Sequence, residues 1–148
     1  MTQPLEPTSR PYAAGQLDVL RLGRVPYEAA HALQQRLVQR RIAREVSDTL
    51  VLCEHDPVVT VGRSAVAPAV GDASIPVVQV ERGGEATFHG PGQLVAYPIL
   101  ELPEGRRDLR RYLRDLEAVV IGALAEVEVT GERREGLTGV WVAGRKVC

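Results

Sequence analysis

Apolar residues recur at helical spacing in two stretches of the chain, and each stretch predicts a helix. The first opens at Pro26, a residue favoured in the first turn of a helix, and continues through Ala30, Leu33 and Leu37 with glutamines and arginines between them. The second follows Asp108, whose side chain is of a type that caps helix starts. Its apolar stripe consists of Leu109, Leu113, Leu116, Val120 and Leu124.

Short aliphatic and β-branched runs predict strands between and after these helices. Asp56-Pro57 separates two of the runs and predicts a hairpin or a bent pair, and Ala143-Gly144 predicts the turn of a closing hairpin. Residues 63–76 are rich in Ala, Pro and Gly and indicate an irregular loop. Many short strands with two helices favour an α+β fold with one mixed, largely antiparallel sheet and helices packed on it. The predicted strands are 17–22, 49–53, 58–61, 76–80, 94–100, 127–130 and the two arms of 139–148.

Composition and charge narrow the class of protein. The 148 residues are 45% apolar and carry a formal net charge of −1, which argues against a broad nucleic-acid surface. Residues 1–15 hold three prolines and no apolar core of a secretory signal, so a disordered tail is expected there, followed by a single domain over 16–148. No apolar run approaches the ~20 residues that span a bilayer. With only two cysteines, the sequence favours a cytoplasmic protein.

The segment from Glu81 to Gln93 concentrates the residues suited to chemistry. Four glycines, one proline, Arg82 and His89 lie within it, between two predicted strands. Glycines allow close approach of a ligand to the backbone, arginine presents several N–H donors, and histidine titrates near neutrality. Such a loop is suited to holding a carbonyl or an acyl thioester. The alternative is a glycine-rich turn with a core histidine, while neither a phosphate-binding loop nor a dinucleotide fingerprint fits.

Three ordered blocks of the sequence carry a family resemblance. Arg82-Gly-Gly-x-x-Thr-Phe-His-Gly-Pro-Gly-Gln93, followed by Tyr97-Pro98, closely resembles the signature of octanoyltransferases, the lipoate–protein ligase B type. The run Leu52-Cys-Glu-His-Asp-Pro-Val-Val-Thr-Val-Gly-Arg63 resembles that family's earlier strand pair. Gly139-Val-Trp-Val with Lys146 resembles its lysine segment. The resemblance implies a biotin/lipoate protein ligase-like catalytic fold.

The resemblance also implies a reaction and its partners. Family enzymes move an octanoyl or lipoyl group from acyl carrier protein to a lysine of a lipoyl domain, through a cysteine acyl-enzyme, in lipoate biosynthesis. The expected acceptors are the E2 subunits of 2-oxoacid dehydrogenases and the glycine cleavage H protein. No cofactor or metal is expected, since a thioester is already activated, and no nucleic acid or membrane partner is expected.

By the same resemblance, Lys146 is the catalytic lysine that lowers the pKa of the attacking thiol, as a nearby ammonium does. The alternative for Lys146 is a solvent-facing lysine on an edge strand. His89 is expected to shape the pocket, orient the carbonyl or hydrogen-bond the loop. The implied substrate-binding residues are Arg82, Gly83, Gly84, Glu85, Ala86, Thr87, Phe88 and His89.

The sequence departs from the family pattern at the nucleophile. The family's cysteine lies beyond the lysine, in a Pro-Cys-Gly-like segment that these 148 residues lack. We therefore expect the N-terminal portion of a catalytic domain, truncated at its C-terminus and impaired when alone. Cys148 shares a strand face with Lys146 but falls at a position that is not the family nucleophile. Cys53 is expected to be inert core.

Other functions stay open at the level of sequence. An ATP-dependent lipoate or biotin ligase shares the fold, and a non-catalytic module that binds an acyl group or a carrier protein is the alternative from a different class. A metal site is disfavoured, because neighbouring residues of one strand point apart. Arginines near the second helix suit an acidic carrier protein, although a solvated helix face is favoured. The metal set would be Glu54, His55, Asp56 and His89, and the arginines are Arg106, Arg107, Arg110, Arg111 and Arg114.

Overall fold

The computed structural model describes residues 15–63, 65 and 74–148. The expected tail, apart from residue 15, and most of the expected loop over 63–76 lie outside the described residues. The chain divides into two compact units, Met1–Glu101 and Leu102–Cys148. The expectation of a single domain over 16–148 stays a prediction. The elements are β1 (Leu17–Val25), α1 (Tyr27–Ile42), β2 (Asp48–His55), β3 (Val58–Val61), β4 (Val77–Gln79), β5 (Ala86–His89), β6 (Val95–Ile99), α2 (Leu109–Ala125), β7 (Trp141–Val142) and β8 (Arg145–Lys146).

The first sheet of the first unit has the strand order β1-β2-β6. Strands β1 and β2 are parallel and are joined through α1, because parallel neighbours need a crossover connection. Strand β6 runs antiparallel to β2. The predicted stripe of α1 is confirmed: Ala30, Leu33 and Leu37 are buried, and Leu33 and Leu37 pack with Val51 and Ile99. Full burial of a leucine side chain contributes about 1.5–3 kcal/mol, so this face anchors the unit.

The second sheet has the order β4-β3-β5, with β3 parallel to β4 and antiparallel to β5. Of the two alternatives predicted at Asp56-Pro57, the hairpin was therefore wrong, and the bend is what the structure has. Strand β2 pairs only with β1 and β6 among the described strands, and the chain bends at this turn to enter the other sheet. All four residues of β3 are buried, and both edges of this strand are paired. Asp56 instead accepts from Arg24, with Nε and Oδ1 2.7 Å apart.

The predicted α+β class is confirmed, but the strands form small separate sheets rather than one. Among the residues that the structure describes, three of the five strand pairs are antiparallel and two are parallel. Within the described residues, no helix is both long enough and apolar enough to cross a membrane.

In the second unit, the predicted helix and hairpin are confirmed. Asp108 caps α2 by accepting from the main-chain N–H groups of Arg110 and Arg111, at 2.9 and 3.1 Å. Ala143 and Gly144 both have positive φ, 47° and 79°, as the tight turn between β7 and β8 requires. The strand predicted over 127–130 was wrong. Turns occupy its start, and Glu128 adopts a left-handed φ of 59°, which interrupts an extended chain.

The apolar stripe of α2 is only partly buried. Leu109 at the start of the helix is 68% exposed, and the other stripe residues are half-buried. The buried residue of α2 is instead a carboxylate, Glu117. The second unit thus has a polar group where the helical pattern predicted an aliphatic face.

Candidate functional site

Arg82 closes the glycine-rich loop of the first unit upon itself. Its Nη1 donates to the carbonyls of Gly83 and Glu85, at 3.0 and 2.7 Å. Its Nη2 donates to the carbonyl and hydroxyl of Thr60, at 2.9 and 3.0 Å, and to the hydroxyl of Thr87 at 2.9 Å. The guanidinium therefore shapes the loop with both of its terminal nitrogens and ties it to the buried strand β3.

Gly62, the residue after β3, allows the loop to lie directly against the end of that strand. A Cβ built on Gly62 would overlap the carbonyl oxygen of Gly84, so no larger residue fits at position 62 without displacing the loop. Gly84 itself has a φ of +83°, which a residue with a side chain rarely adopts. Gly83 and Gly84 are exposed, so the main chain at the tip of this loop faces solvent.

The far end of the loop is held by Glu54 and Gln93. Glu54 Oε2 accepts from the main-chain N–H of Gly92 at 2.8 Å, across 38 residues of sequence. Gln93 Nε2 donates to the carbonyl of Phe88 at 3.4 Å. Phe88, the only phenylalanine among the 148 residues, is 52% exposed, and its ring lies over Gly90, where a Cβ would come within 2.8 Å of it. An apolar ring thus stands at the surface beside the turn.

His89 is held in one tautomer. Its Nδ1 lies 2.6 Å from Gln93 Oε1, an acceptor, so Nδ1 carries the proton and Nε2 presents a lone pair. That lone pair lies 3.5 Å from the hydroxyl of Thr60, which also accepts from Arg82. Burial chiefly lowers the pKa of His89 from its ordinary value, and the nearby His55 and Arg82 lower it further, while Gln93 opposes the shift. The imidazole is therefore neutral at pH 7.

His55 is the polar centre beneath the loop and is fully buried. Its Nδ1 lies 3.0 Å from the carbonyl of Val25, which only accepts, so Nδ1 is the protonated nitrogen. Its Nε2 then accepts from the hydroxyl of Tyr97 at 2.7 Å. Burial is the main cause that raises the pKa of Tyr97, which keeps that donor protonated. Both ring nitrogens are thus paired, as a buried imidazole requires.

Ring contacts connect all three histidines of the chain. His31 stacks on Tyr27 with ring centroids 5.7 Å apart, and Tyr27 meets His55 edge-on at 5.5 Å. His55 in turn meets His89 at 5.9 Å. Cys53 joins this cluster, with Sγ 3.6 Å from His55 Nε2, and burial raises the pKa of its thiol. The thiol of Cys53 is therefore neutral, as the expectation of an inert core cysteine requires.

Lys146 lies on the hairpin of the second unit and is the only lysine among the 148 residues. It pairs with Trp141 across the hairpin, and its Nζ lies 5.6 Å from the centre of the indole ring. Its side chain is exposed, and it packs against the main chain of Gly139, where a Cβ would lie 2.6 Å from Lys146 Cε. The ammonium of Lys146 is therefore accessible, while the aliphatic part of its side chain packs against the main chain of Gly139.

The predicted substrate-binding residues form one continuous feature. Arg82 to Glu85 make the loop tip, and Ala86 to His89 form strand β5. Thr60, His55 and Gln93 were missed as site residues, although all three lie in or beside the sequence blocks that carried the resemblance. His55 lies on β2, Thr60 on β3 and Gln93 before β6, and the sequence did not indicate which side chains each of them would contact.

The described residues contain no cluster of three or more His, Cys, Asp or Glu side chains suited to a metal ion. Glu54, His55 and Asp56 have separate partners in Gly92, Val25 with Tyr97, and Arg24. Adjacent positions on β2 thus point apart, which is the geometry expected from a strand.

Comparisons with known proteins place this arrangement in a family. The lipoyl protein ligase A/B catalytic domain matches residues 26–148, and the chain belongs to that family. It is 50% identical over 132 residues to an octanoyltransferase of Syntrophotalea carbinolica, covering 89% of this chain and 63% of that protein. It is 53% identical over 129 residues to an octanoyltransferase of Gloeobacter violaceus, covering 85% and 58%. The chain thus spans about three fifths of the length of these relatives.

The fold itself has a solved counterpart. A bipartite lipoate protein ligase of Thermoplasma acidophilum aligns with a TM-score of 0.67 at 20% identity, over 85% of this chain and 51% of that one. At this identity the likeness concerns the fold, and it supports the biotin/lipoate ligase-like architecture that the sequence implied.

Proposed function

We propose that this chain carries the acyl-binding loop and the activating lysine of an octanoyltransferase. The enzyme would move an octanoyl or lipoyl group from acyl carrier protein to the lysine of a lipoyl domain. The observation that supports this most directly is the loop closed by Arg82, which leaves glycine main chain exposed beside a half-exposed Phe88. The identity of 50–53% to octanoyltransferases supports the same reaction.

The reaction has two balanced steps. A cysteine thiolate attacks the carbonyl carbon of the octanoyl thioester, a new C–S bond forms, and the carrier protein leaves as its thiol after taking up a proton. The lysine amine of the lipoyl domain then attacks this acyl-enzyme, an amide bond forms, and the enzyme thiolate leaves while the nitrogen gives up a proton. No ATP, metal or other cofactor is required, because the thioester bond is already activated.

Each part of the loop has a role in this proposal. The exposed main chain of Gly83 and Gly84 approaches the acyl carbonyl, and Phe88 contacts the alkyl chain. Neutral His89 orients the carbonyl or its attacking partner through its Nε2 side. Arg82 holds the shape that these contacts need. Glu85, Ala86 and Thr87 complete the wall of the pocket.

Lys146 supplies the positive charge that favours thiolate over thiol. We do not assign the attacking thiol to Cys53, whose raised pKa and burial oppose ionisation and access. We also do not assign it to Cys148, although that residue is exposed. The expected acceptors are the lipoyl domains of 2-oxoacid dehydrogenase E2 subunits and the glycine cleavage H protein, in the cytoplasm.

Binding of the carrier protein tests the loop directly. The 148-residue chain is titrated with octanoylated acyl carrier protein and with the same carrier bearing a free thiol. We expect at least about tenfold tighter binding of the octanoylated form, because only that form fills the loop. Arg82→Lys, which loses the planar set of donors, should remove most of that preference, whereas Arg24→Lys, a matched exposed arginine of the same unit, should keep it. Equal binding of both carriers would contradict the proposal.

Two product assays separate the alternatives. Octanoyl transfer to a lipoyl domain is followed by intact mass, and activation of free octanoate by ATP is followed as pyrophosphate release. ATP-dependent activation would identify a ligase and overturn the transferase proposal. Robust transfer that Cys148→Ser abolishes would support the reaction but overturn our placement of the nucleophile.

A further inference from the structure

The second unit contains a buried carboxylate that the proposed reaction does not use. Glu117 on α2 is 4% exposed, and a buried charge is costly unless it is paired. Its Oε2 accepts from Arg114 Nη1 at 2.7 Å and from Arg133 Nε at 3.0 Å. Its Oε1 accepts from the main-chain N–H of Gly139 at 2.9 Å. Oε2 of Glu117 thus contacts two guanidinium groups, and Oε1 accepts from the main chain.

The aliphatic part of the Lys146 side chain packs against Gly139. A Cβ at Gly139 would lie 2.6 Å from Lys146 Cε and 3.3 Å from Nζ, and it would overlap the carbonyl oxygen of Cys148. The φ of Gly139 is +135°, so both the space and the backbone conformation require glycine. The main chain there is also close-packed against the returning arm of the hairpin, where Val140 N–H donates to the carbonyl of Cys148 at 3.0 Å.

The contacts of Glu117, Gly139 and Lys146 form a continuous path. Strand pairing sets Lys146 opposite Trp141, and the ammonium of Lys146 and the guanidinium of Arg134 lie 5.6 and 5.7 Å from the centre of the indole ring. Pairing alone leaves the long lysine side chain free to rotate. The main chain of Gly139 packs against that side chain, and the Gly139 N–H donates to Glu117 Oε1.

We propose that Glu117 is a positioning residue for Lys146: its Oε1 fixes the main chain of Gly139, and the stem of Lys146 packs on that main chain and so holds the ammonium beside Trp141. The inference rests on the proposed function for the role of Lys146 in catalysis, but the placement itself stands on contacts within the second unit.

The chain offers two built-in reporters for this placement. Lys146 is its only lysine and Trp141 its only tryptophan, so acetylation of a lysine amine and indole fluorescence each report on one residue. Acetylation of Lys146 is separated from that of the α-amino group by peptide mass mapping. Neither readout needs an acyl carrier, so a negative result here leaves the proposed function intact, and a failure of carrier binding leaves this placement intact.

Glu117→Ala removes the anchor. We expect the rate of Lys146 acetylation at fixed pH to change by at least about twofold, the lower end of the coupling seen between groups in contact. The Trp141 emission should shift with it. Asp115→Ala, an exposed carboxylate on the same helix, should change neither. A folded Glu117→Ala protein with the acetylation rate and emission of the parent would overturn the proposal.

A second pair of variants separates positioning from general stability, and it decides the matter if Glu117→Ala does not fold. Glu117→Gln keeps an acceptor for Gly139 N–H, and Arg133→Gln keeps Glu117 itself, although both weaken the ion pairs. We expect both to lower the urea midpoint while Lys146 acetylation stays at the parent rate. A change of the acetylation rate in proportion to lost stability in both variants would show that Glu117 only stabilises the unit, and the proposal would fall.

Discussion

In each unit a charged side chain holds the main chain in place, and the two charges have opposite signs. In the first, a cation does it: Arg82 donates five hydrogen bonds to the carbonyls and hydroxyls of its own loop and of β3. In the second, an anion does it: Glu117 accepts three hydrogen bonds, one of them from the main chain of the lysine hairpin. Arginine thus satisfies carbonyls of the candidate loop, and the carboxylate satisfies a main-chain N–H of the lysine hairpin.

The interiors differ as well. The first unit has an aliphatic core formed by α1 and the first sheet, with a buried histidine at its edge. The buried residues of the second unit, within the described chain, are Glu117, Gly139, Val140 and Trp141. We therefore expect aliphatic packing to dominate the stability of the first unit and the Glu117 contacts to dominate that of the second.

The largest expected effect comes from the aliphatic core. Leu37→Ala removes a fully buried side chain of α1 and should lower the free energy of unfolding by about 2–5 kcal/mol. Leu109→Ala, at the exposed start of α2, should change it by no more than about 0.5 kcal/mol. Urea denaturation followed by circular dichroism measures both. Similar losses in the two variants would mean that the two units are packed alike, against the comparison drawn above.

The buried histidine should come next. His55→Leu removes the imidazole that pairs with the hydroxyl of Tyr97 and the carbonyl of Val25 in the interior, at a cost of about 1–3 kcal/mol. The matched change, His31→Gln, affects a partly exposed histidine whose Nε2 lies 3.5 Å from Glu81 Oε2, and it should cost no more than about 0.5 kcal/mol. If His55→Leu proved as stable as the parent protein, the polar centre beneath the loop would carry no energetic weight.

Substitutions of two glycines test how closely the loop packs against β3. Gly62→Ala forces a Cβ against the carbonyl of Gly84 and should destabilise the chain by about 1–3 kcal/mol, because backbone cannot yield as a side chain does. Gly83→Ala, with nothing within 4 Å of the new Cβ, should be tolerated within about 0.5 kcal/mol. Urea midpoints give both values. Equal tolerance at the two positions would refute the close approach of loop and strand.

The smallest expected effect is a pH dependence of stability, which comes from one titrating group in each unit. The pKa of His89 is lowered, chiefly by burial, so the unfolded chain binds this proton more readily than the folded one. Stability should be complete above about pH 6.5 and fall as the pH drops through the lower folded pKa. The pKa of Glu117 is lowered, first by the N–H of Gly139 and then by Arg114. Its contribution is present above about pH 4.5 and is lost as the pH falls through its folded pKa.

Urea midpoints between pH 8 and pH 3 follow these two windows. His89→Gln should flatten the fall in stability just below about pH 6.5, and Glu117→Gln should flatten the fall below about pH 4.5. A curve for His89→Gln that runs parallel to the parent's would contradict the lowered pKa of His89.

Local patterns predicted most elements because they act over a few residues. The stripe of Ala30, Leu33 and Leu37, the cap at Asp108 and the Ala143-Gly144 turn each depend on neighbours within one or two turns of chain. The glycine-rich loop was also predictable, since glycine tolerance of positive φ is a local property, while its role as the site stays a prediction. The stripe of α2 shows the limit of such patterns: its spacing is helical, yet Leu109 is exposed and Glu117 is buried.

The sequence by itself determined where both helices, most of the strands and the candidate loop lie, and the family to which they belong. Only the tertiary structure decided that β2 and β3 enter different sheets, that Arg82 reaches Thr60, and that Glu117 reaches Gly139. The two hydrogen bonds join residues about twenty positions apart in the sequence. The separation of β2 and β3 depends on which sheet each strand joins. A hydrogen bond across such a distance depends on which surfaces the packed core brings together, and local spacing carries no information about that choice.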